Sequence, residues 1–305
     1  LTTLAESGMS TGNLTRLQVI LFGPLGKSKT VSAHAMPNTR TIDFDDGIQS
    51  VEWAIKEGVI KKELHEIVYE TILPSDAKEQ STTMLDRATD KIDEWLDDEK
   101  VPTDEWSDYC MAKPGITVPY PQRWDTLIID SASGLTEASI ILGLKENKRV
   151  GQSKSWDAWK KGHHVRPMRI QDWGSAGYLQ AKFIEDNRLI EKNLVVICHQ
   201  YDNTDDTGNT ISIDPSLIGQ NRQGVPKSFD EVWYAFTQGT RSKPEFRIQT
   251  TPGANKNCRS RLGCLDPVEI LDFYAIRKKV AEFYQVDEEI LWTSQYPYVE
   301  ETVDV

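Results

Sequence analysis

Residues 23–30 read GPLGKSKT. Gly23 opens this stretch and a lysine followed by a hydroxyl residue, Lys29 and Thr30, closes it. That order belongs to loops that wrap phosphate oxygens, G-x-x-x-x-G-K-[ST]. One position departs: Ser28 stands directly before the lysine, where the pattern has glycine, and Gly26 comes two places early. In such a loop backbone N–H groups cradle phosphate. The lysine reaches the β- and γ-phosphates and the hydroxyl holds Mg²⁺. Gly23, Pro24, Gly26, Lys27, Ser28, Lys29 and Thr30 are therefore the expected nucleotide contacts, with Thr30 on the metal. Ser28 adds a Cβ where the backbone passes close to phosphate. Two outcomes stand open: a crowded site, or a shifted turn in which Gly26 supplies the freedom.

Carboxylates recur at the ends of apolar runs. WDTLIIDSAS (124–133) runs from β-formers into Asp130, the position of an Mg²⁺ carboxylate in phosphate-loop enzymes. A plain strand-end aspartate capping a turn is the alternative. TRTIDFDDG (39–47) ends in Asp43, Asp45 and Asp46, which cannot all be buried unpaired without cost. A carboxylate here would orient an attacking water; the alternative is an Asp-Gly turn. EKNLVVICHQ (191–200) repeats the shape and ends in His199 and Gln200.

The elements that must carry these residues follow from periodicity. RLQVILFG (16–23) is a short, continuously apolar strand of the kind buried on both faces of a parallel sheet. A short helix over KTVSAHAM, a strand at 39–47, a helix over IQSVEWAIKEG and a strand at 65–72 come next. In STTMLDRATDKIDEWLDDE, Met84, Leu85, Ala88, Ile92, Trp95 and Leu96 recur at helical spacing, giving an amphipathic helix with a solvated acidic face. KPGITVPYPQR (113–123) reads as a loop punctuated by prolines. Residues 201–228 read as one long polar loop, FDEVWYAFTQ and PEFRIQTTP as strands, and DPVEILDFYAIRKKVAEFY as a helix with Pro267 near its start. Strands alternating with helices predict an α/β fold, a mainly parallel sheet flanked by helices. Ligands in such sheets sit beyond the C-terminal strand ends, where the loop, the aspartates, Asp130 and His199 all fall. The expected division is an arm at 1–15, a core at 16–270 with an acidic helical insertion at about 74–123, and a C-terminal helix and acidic tail at 271–305.

Composition sets limits. The 305 residues carry a net charge of −12, which argues against a surface built to grip nucleic acid everywhere. The charge is patterned, however. Residues 74–108 hold twelve Asp/Glu against four Lys/Arg, and 282–305 hold seven acids and no Lys or Arg. Residues 145–169 hold eight Lys/Arg against two acids. Their Lys148, Arg149, Lys154, Lys160, Lys161, Arg166 and Arg169, with Trp156, Trp159 and Trp173 nearby, suit a single-strand groove in which cations follow the backbone and rings stack on bases. A solvated loop or a subunit contact would carry the same letters. Cys110, Cys198, Cys258 and Cys264 form no C-x-x-C pair and no zinc pattern, so a disulfide framework is not expected and a cytoplasmic location is. No apolar run approaches the roughly 18–20 residues of a membrane helix. The start lacks the charge and apolar regions of a signal peptide. No G-x-S-x-G elbow is present.

Taken in order, the loop, IDFDDG, DTLIIDSAS, LVVICHQ and FDEVWYAF resemble the RecA-like core ATPases, most nearly the phage-encoded nucleotide-binding proteins of the single-strand-annealing and recombination type. The resemblance spans about residues 16–270. It implies a RecA-like P-loop core that binds ATP and Mg²⁺ and hydrolyses ATP. It places the catalytic carboxylate on Asp45 beside Lys29, and a γ-phosphate sensor on His199 with Gln200. It implies contacts across a subunit boundary from Lys256, Arg259 and Arg261. Single-stranded DNA would face the loops at 201–228. The implied partners are a ring or filament of the same chain, single-stranded DNA and a single-strand-binding protein, in the cytoplasm of a bacterial host. Two alternatives share the fold: a nucleotide-binding module that does not hydrolyse, and a structural or interaction protein working through its acidic segments.

Overall fold

The apolar runs are short because each crosses one sheet whose two faces are both covered. In β1 (Gln18–Gly23), Val19 and Leu21 enter one core while Ile20 and Phe22 enter the other, and all four are fully buried. β4 (Thr126–Asp130) divides the same way, Ile128 to one side and Leu127 and Ile129 to the other. Successive side chains of a strand point to opposite faces, so a strand buried on both has no polar alternation to show. The computed structural model describes residues 16–26, 28–73, 83–101, 105, 108, 123–146, 170–240, 242–253 and 255–293. Lys27, the arm at 1–15, most of the 74–123 segment, the basic residues Lys148, Arg149, Lys154, Lys160, Lys161, Arg166 and Arg169, and the tail from 294 lie outside the described residues.

The remaining strands are β2 (Thr39–Asp43), β3 (Val68–Thr71), β5 (Asn193–Thr204), β6 (Thr210–Pro215), β7 (Glu231–Thr240), β8 (Lys243–Gln249) and β9 (Val268–Ile270). Among the described residues they form one sheet in the order β3-β2-β4-β5-β1-β7-β8-β9, with β6 on β5. The strands from β3 through β7 in that order run parallel, whereas β6, β8 and β9 pair antiparallel. The sheet is thus mixed, with a parallel centre and an antiparallel flank.

One face carries α3 (Met84–Asp98), α4 (Ala132–Glu146) and α5 (Ile170–Leu189). The other carries α1 (Lys29–Ala33) and α7 (Phe273–Tyr284). α2 (Gln49–Lys56) builds a smaller cluster around Ile48, Val51, Ala54 and Ile60. A last short helix is α6 (Asn221–Gly224).

Two expectations change, and the amphipathic acidic helix forms as its periodicity predicts: Met84, Leu85, Ala88, Ile92 and Trp95 of α3 sit in the main core, and Trp95 packs edge-on against Trp124. Its start is fixed by a reciprocal cap, in which the Asp86 N–H donates to Thr83 Oγ1 and the Thr83 N–H donates to Asp86 Oδ2. The long loop at 201–228 is instead structured. β5 runs on to Thr204 and turns back as β6 through Asp205–Asn209, where Asp205 Oδ1 accepts from the Thr207 and Asn209 N–H groups. Finally, helix α7 does not begin at Pro267. Residues 268–270 pair with β8 first, and Asp272 then caps α7 by accepting from Tyr274 N.

Candidate active site

The phosphate-loop letters lie in a turn leading from β1 into α1. Gly23 has φ 153° and Gly26 has φ 67°. Ser28 also lies in the left-handed region, at φ 55°, and its carbonyl accepts the first helical bond from Ser32 N at 2.9 Å. Gly26 thus supplies one left-handed residue of the turn and Ser28 itself supplies another. The Lys29 amine is buried and turns into the loop, donating to Gly23 O at 3.1 Å and Pro24 O at 2.7 Å.

Thr30 is the hinge of the arrangement. Its Oγ1 donates to Asp130 Oδ2 at 2.6 Å, joining the start of α1 to the end of β4 across a hundred residues of chain. Burial pushes the Asp130 carboxyl up to about 7, and the negative charges of Asp43 and Asp45 push the same way. Asp45 sits beyond β2. Its Oδ2 accepts from Ser131 Oγ and lies 3.5 Å from His199 Nε2. Burial raises the Asp45 carboxyl, but the bonds from His199 and Ser131, with the charges of His199 and Lys29, outweigh it and hold Asp45 below the ordinary range. His199 is in register with Gly23 of the neighbouring strand, and its buried Nδ1 has no hydrogen-bond partner among the described residues.

Asp43, which the sequence offers beside Asp45 and Asp46, and Ser131, which no motif singles out, complete the cluster. Asp43, the last residue of β2, folds the following turn around itself. Its Oδ1 accepts from Asp45 N and Gly47 N, and its Oδ2 from Ile48 N. Ser131 directly follows Asp130 and fixes Asp45. Gly23, Lys29, Thr30, Asp45, Asp130 and His199 are thus gathered beyond the strand ends. Gln200 is next to them, accepting from Tyr234 OH at 3.1 Å, and Lys256 stands over the Tyr234 ring at 4.8 Å. Arg259 and Arg261 serve their own chain. Arg259 donates to the carbonyls of Pro226, Lys227 and Phe229, and Arg261 pairs with Asp230 at 2.7 Å.

A triphosphate with a hard divalent cation fits this donor set. The Thr30 hydroxyl lies on the Asp130 carboxyl, Asp45 is close enough to raise that carboxyl, and the Lys29 charge acts on both, an oxygen-rich set that suits Mg²⁺. Among the described residues no group of three or more His, Cys, Asp or Glu side chains is arranged as a metal cage. Mg²⁺ needs no such cage, since it keeps waters and shares substrate phosphates.

A family model described as an AAA domain matches residues 15–262. The chain belongs to that family. This AAA-domain protein is accordingly a nucleotide-binding P-loop protein. No curated protein matches it. Among solved structures it is similar to the flagellar accessory protein FlaH from Methanocaldococcus jannaschii, at 9% identity over 80% of this chain and 82% of that one, with a TM-score of 0.36. No helix of the AAA-domain chain, among the described residues, is long and apolar enough to cross a membrane. Cys198, Cys258 and Cys264 are free, and Cys110 lies outside the described residues.

Proposed function

We propose that the protein is a RecA-like ATPase, and the observation that carries this reading is the 2.6 Å contact between Thr30 and Asp130, with Asp45 and His199 beside it. The strand order supports the RecA-like assignment. β5 lies between β1 and β4, so His199 is inserted between the phosphate loop and the metal carboxylate. In this reading the loop N–H groups and the Lys29 amine bind phosphate oxygens, and Thr30 and Asp130 hold Mg²⁺. Bound there, the cation would neutralise charge on the β- and γ-phosphates. Asp45, kept ionised by its neighbours, orients water and accepts its proton. Ser131 and His199 both contact its Oδ2, which leaves Oδ1 for the water in this reading. His199 faces Asp45 through Nε2, the contact by which it would register the γ-phosphate in this reading.

Single-stranded DNA is the proposed second ligand, and copies of this chain the proposed assembly. The basic, tryptophan-bearing pattern of 145–169 supports the first. Lys256, near Gln200 through Tyr234, is the best placed of the three cations proposed to reach a neighbouring subunit's nucleotide. A non-hydrolysing nucleotide module is the second reading, favoured by one observation: Ser28 in a left-handed conformation inside the loop.

The test is ATP hydrolysis with Mg²⁺, with and without single-stranded DNA, beside Lys29→Ala. Turnover that rises with DNA and falls on the order of 100-fold or more in the variant is expected. Binding of ATP with no phosphate release under either condition would select the second reading. Turnover indifferent to DNA would remove DNA from the proposal and leave the ATPase.

A further inference from the structure

A cavity of 480 Å³ opens between α6, with the turn that follows it, and the segment 252–259. Among the described residues that line it are three cations, Arg222, Lys227 and Arg259, and no carboxylate. The rest of the wall is mostly apolar, built from Pro215, Pro226, Pro252, Val232 and Cys258. Burial pushes the Cys258 thiol up to about 12, so it is a neutral surface there and not a nucleophile. No residue of the phosphate loop lines this cavity, and neither do Asp45, Asp130 or His199.

The walls are tied to each other. The Arg259 N–H and carbonyl each bond to Val232 at 2.9 Å, and the Arg259 guanidinium donates to the carbonyls of Pro226 at 2.6 Å and Lys227 at 2.7 Å. The cavity is therefore preformed, as ligand pockets usually are. The acids next to its lining in the chain are engaged with other groups. Asp214 is buried and accepts from Asn257 Nδ2 at 2.8 Å and from Ser212 Oγ at 2.7 Å, and Asp230 pairs with Arg261 at 2.7 Å. What remains is an apolar hollow ringed by positive charge, in a chain whose net charge is −12.

We infer that this cavity is a second ligand site, separate from the phosphate cluster, for a small organic oxyanion: a carboxylate or phosphate group carried on a ring-sized apolar body. The volume lies within the roughly 300–1,000 Å³ of small-molecule sites. The prolines and Val232 take the apolar body, and Arg222 and Lys227 take the headgroup, the guanidinium as a fork of donors and the ammonium as a point charge. The inference goes beyond the nucleotide reading and does not depend on it.

The probe is anilinonaphthalene sulfonate, an apolar ring system with one oxyanion, titrated beside its uncharged counterpart phenylnaphthylamine. Both are measured on the wild type, Lys227→Glu and Lys29→Ala. Lys227 is exposed, so its replacement spares the core. Saturable binding of the sulfonate to the wild type is expected, about tenfold weaker in Lys227→Glu, while the uncharged probe changes less than about twofold. Lys29→Ala should bind the sulfonate as the wild type does. No binding to the wild type, no loss in Lys227→Glu, or equal losses for both probes would overturn the site. Loss in Lys29→Ala would place the probe in the phosphate loop and overturn it as well. Benzoate and phenyl phosphate then compete for the bound probe: displacement by one names the headgroup, and displacement by neither overturns the proposal. Hydrogen exchange locates the probe without a variant. Protection is expected in peptides covering 221–228 and 255–260, and protection confined to other peptides would put the ligand elsewhere.

Discussion

Ser28 holds the loop in a conformation that L-residues resist. At φ 55° its Cβ crowds the backbone, at a cost of about 1–2 kcal/mol, whereas glycine adopts this region freely. Glycine also gives the unfolded chain more freedom, which returns part of the gain. Ser28→Gly is therefore expected to raise stability by about 0.5–1 kcal/mol, seen as a higher urea midpoint with an unchanged slope. A lower midpoint would mean that the hydroxyl makes a contact stronger than the strain. At this scale much of the site was legible. Asp130 was readable because it ends a run of buried strand residues, and Thr30 because it closes the loop pattern that follows another such run, so both fall at the same sheet edge. Choosing Asp45 among Asp43, Asp45 and Asp46 needed the resemblance. The partnership of Asp45 with Ser131 could not be read, because it depends on how the chain turns after β2 and after β4, and neither turn leaves a periodic signal. The role of Asp43, one of those three candidates, was hidden for a related reason: its partners are backbone N–H groups, which carry no letter in the sequence.

Gly23 shows how an element constrains a motif. It is the last residue of β1 as well as the first of the loop, with φ 153°, and a Cβ placed on it would lie 2.2 Å from the Ala235 carbonyl oxygen of β7. The opening glycine is thus demanded by strand packing before any phosphate is considered. Gly23→Ala combines an unfavourable φ with overpacking against a fixed backbone. It should cost about 2–4 kcal/mol, measurable by chemical denaturation of the nucleotide-free protein. A loss below about 0.5 kcal/mol would show that β1 and β7 separate easily here and that the glycine serves only the ligand. The central strands were legible because burial on both faces forces short apolar runs. The β5–β6 hairpin was not: its strands from Tyr201 to Thr204 and from Thr210 to Ser212 leave the core, so neither apolar continuity nor clean alternation marks them. Its turn was the readable part, since Asp205, Gly208 at φ 86° and Asn209 are turn residues for physical reasons. β9 was absorbed into the expected helix because three residues are too few to show a period of two, while Asp272, the true cap, lay within the same run.

At the scale of the whole molecule, two-sided coverage buries ionisable groups that one-sided sheets leave in water, and stability should record them. Burial raises the Asp130 carboxyl to about 7 and the Glu231 carboxyl to about 7, the latter even though Trp233 Nε1 and the N–H groups of Arg261 and Leu262 donate to it. Burial lowers the His34 imidazole to about 4, where it bridges Thr30 O and Thr41 Oγ1. The signs differ. A carboxyl whose folded pKa exceeds its unfolded value contributes stability that is full below the unfolded value and is lost as pH rises through about 7. A histidine whose folded pKa is depressed contributes stability that is full above about 6.5 and is lost as pH falls through about 4. Between about pH 6.5 and 8 the histidine is neutral in both states and drops out. Lys62, drawn down by burial to about 8, acts mainly above that window. In the nucleotide-free protein the melting temperature should therefore rise as pH falls from 8 to 6.5. Asp130→Asn and Glu231→Gln should each flatten that rise and stabilise the protein at pH 8, because each replaces a carboxylate that the fold holds at a cost. Thermal melts across the window for the three proteins decide it. A wild-type melting temperature that is flat or falls on acidification would show that water or counterions reach these carboxylates. Saturating Mg²⁺ and nucleotide should suppress the Asp130 share of the slope and leave the Glu231 share, since only Asp130 stands where a cation would reward its charge. The same buried carboxylate that weakens the empty fold near neutral pH is the one whose ionisation the proposed ligand would repay.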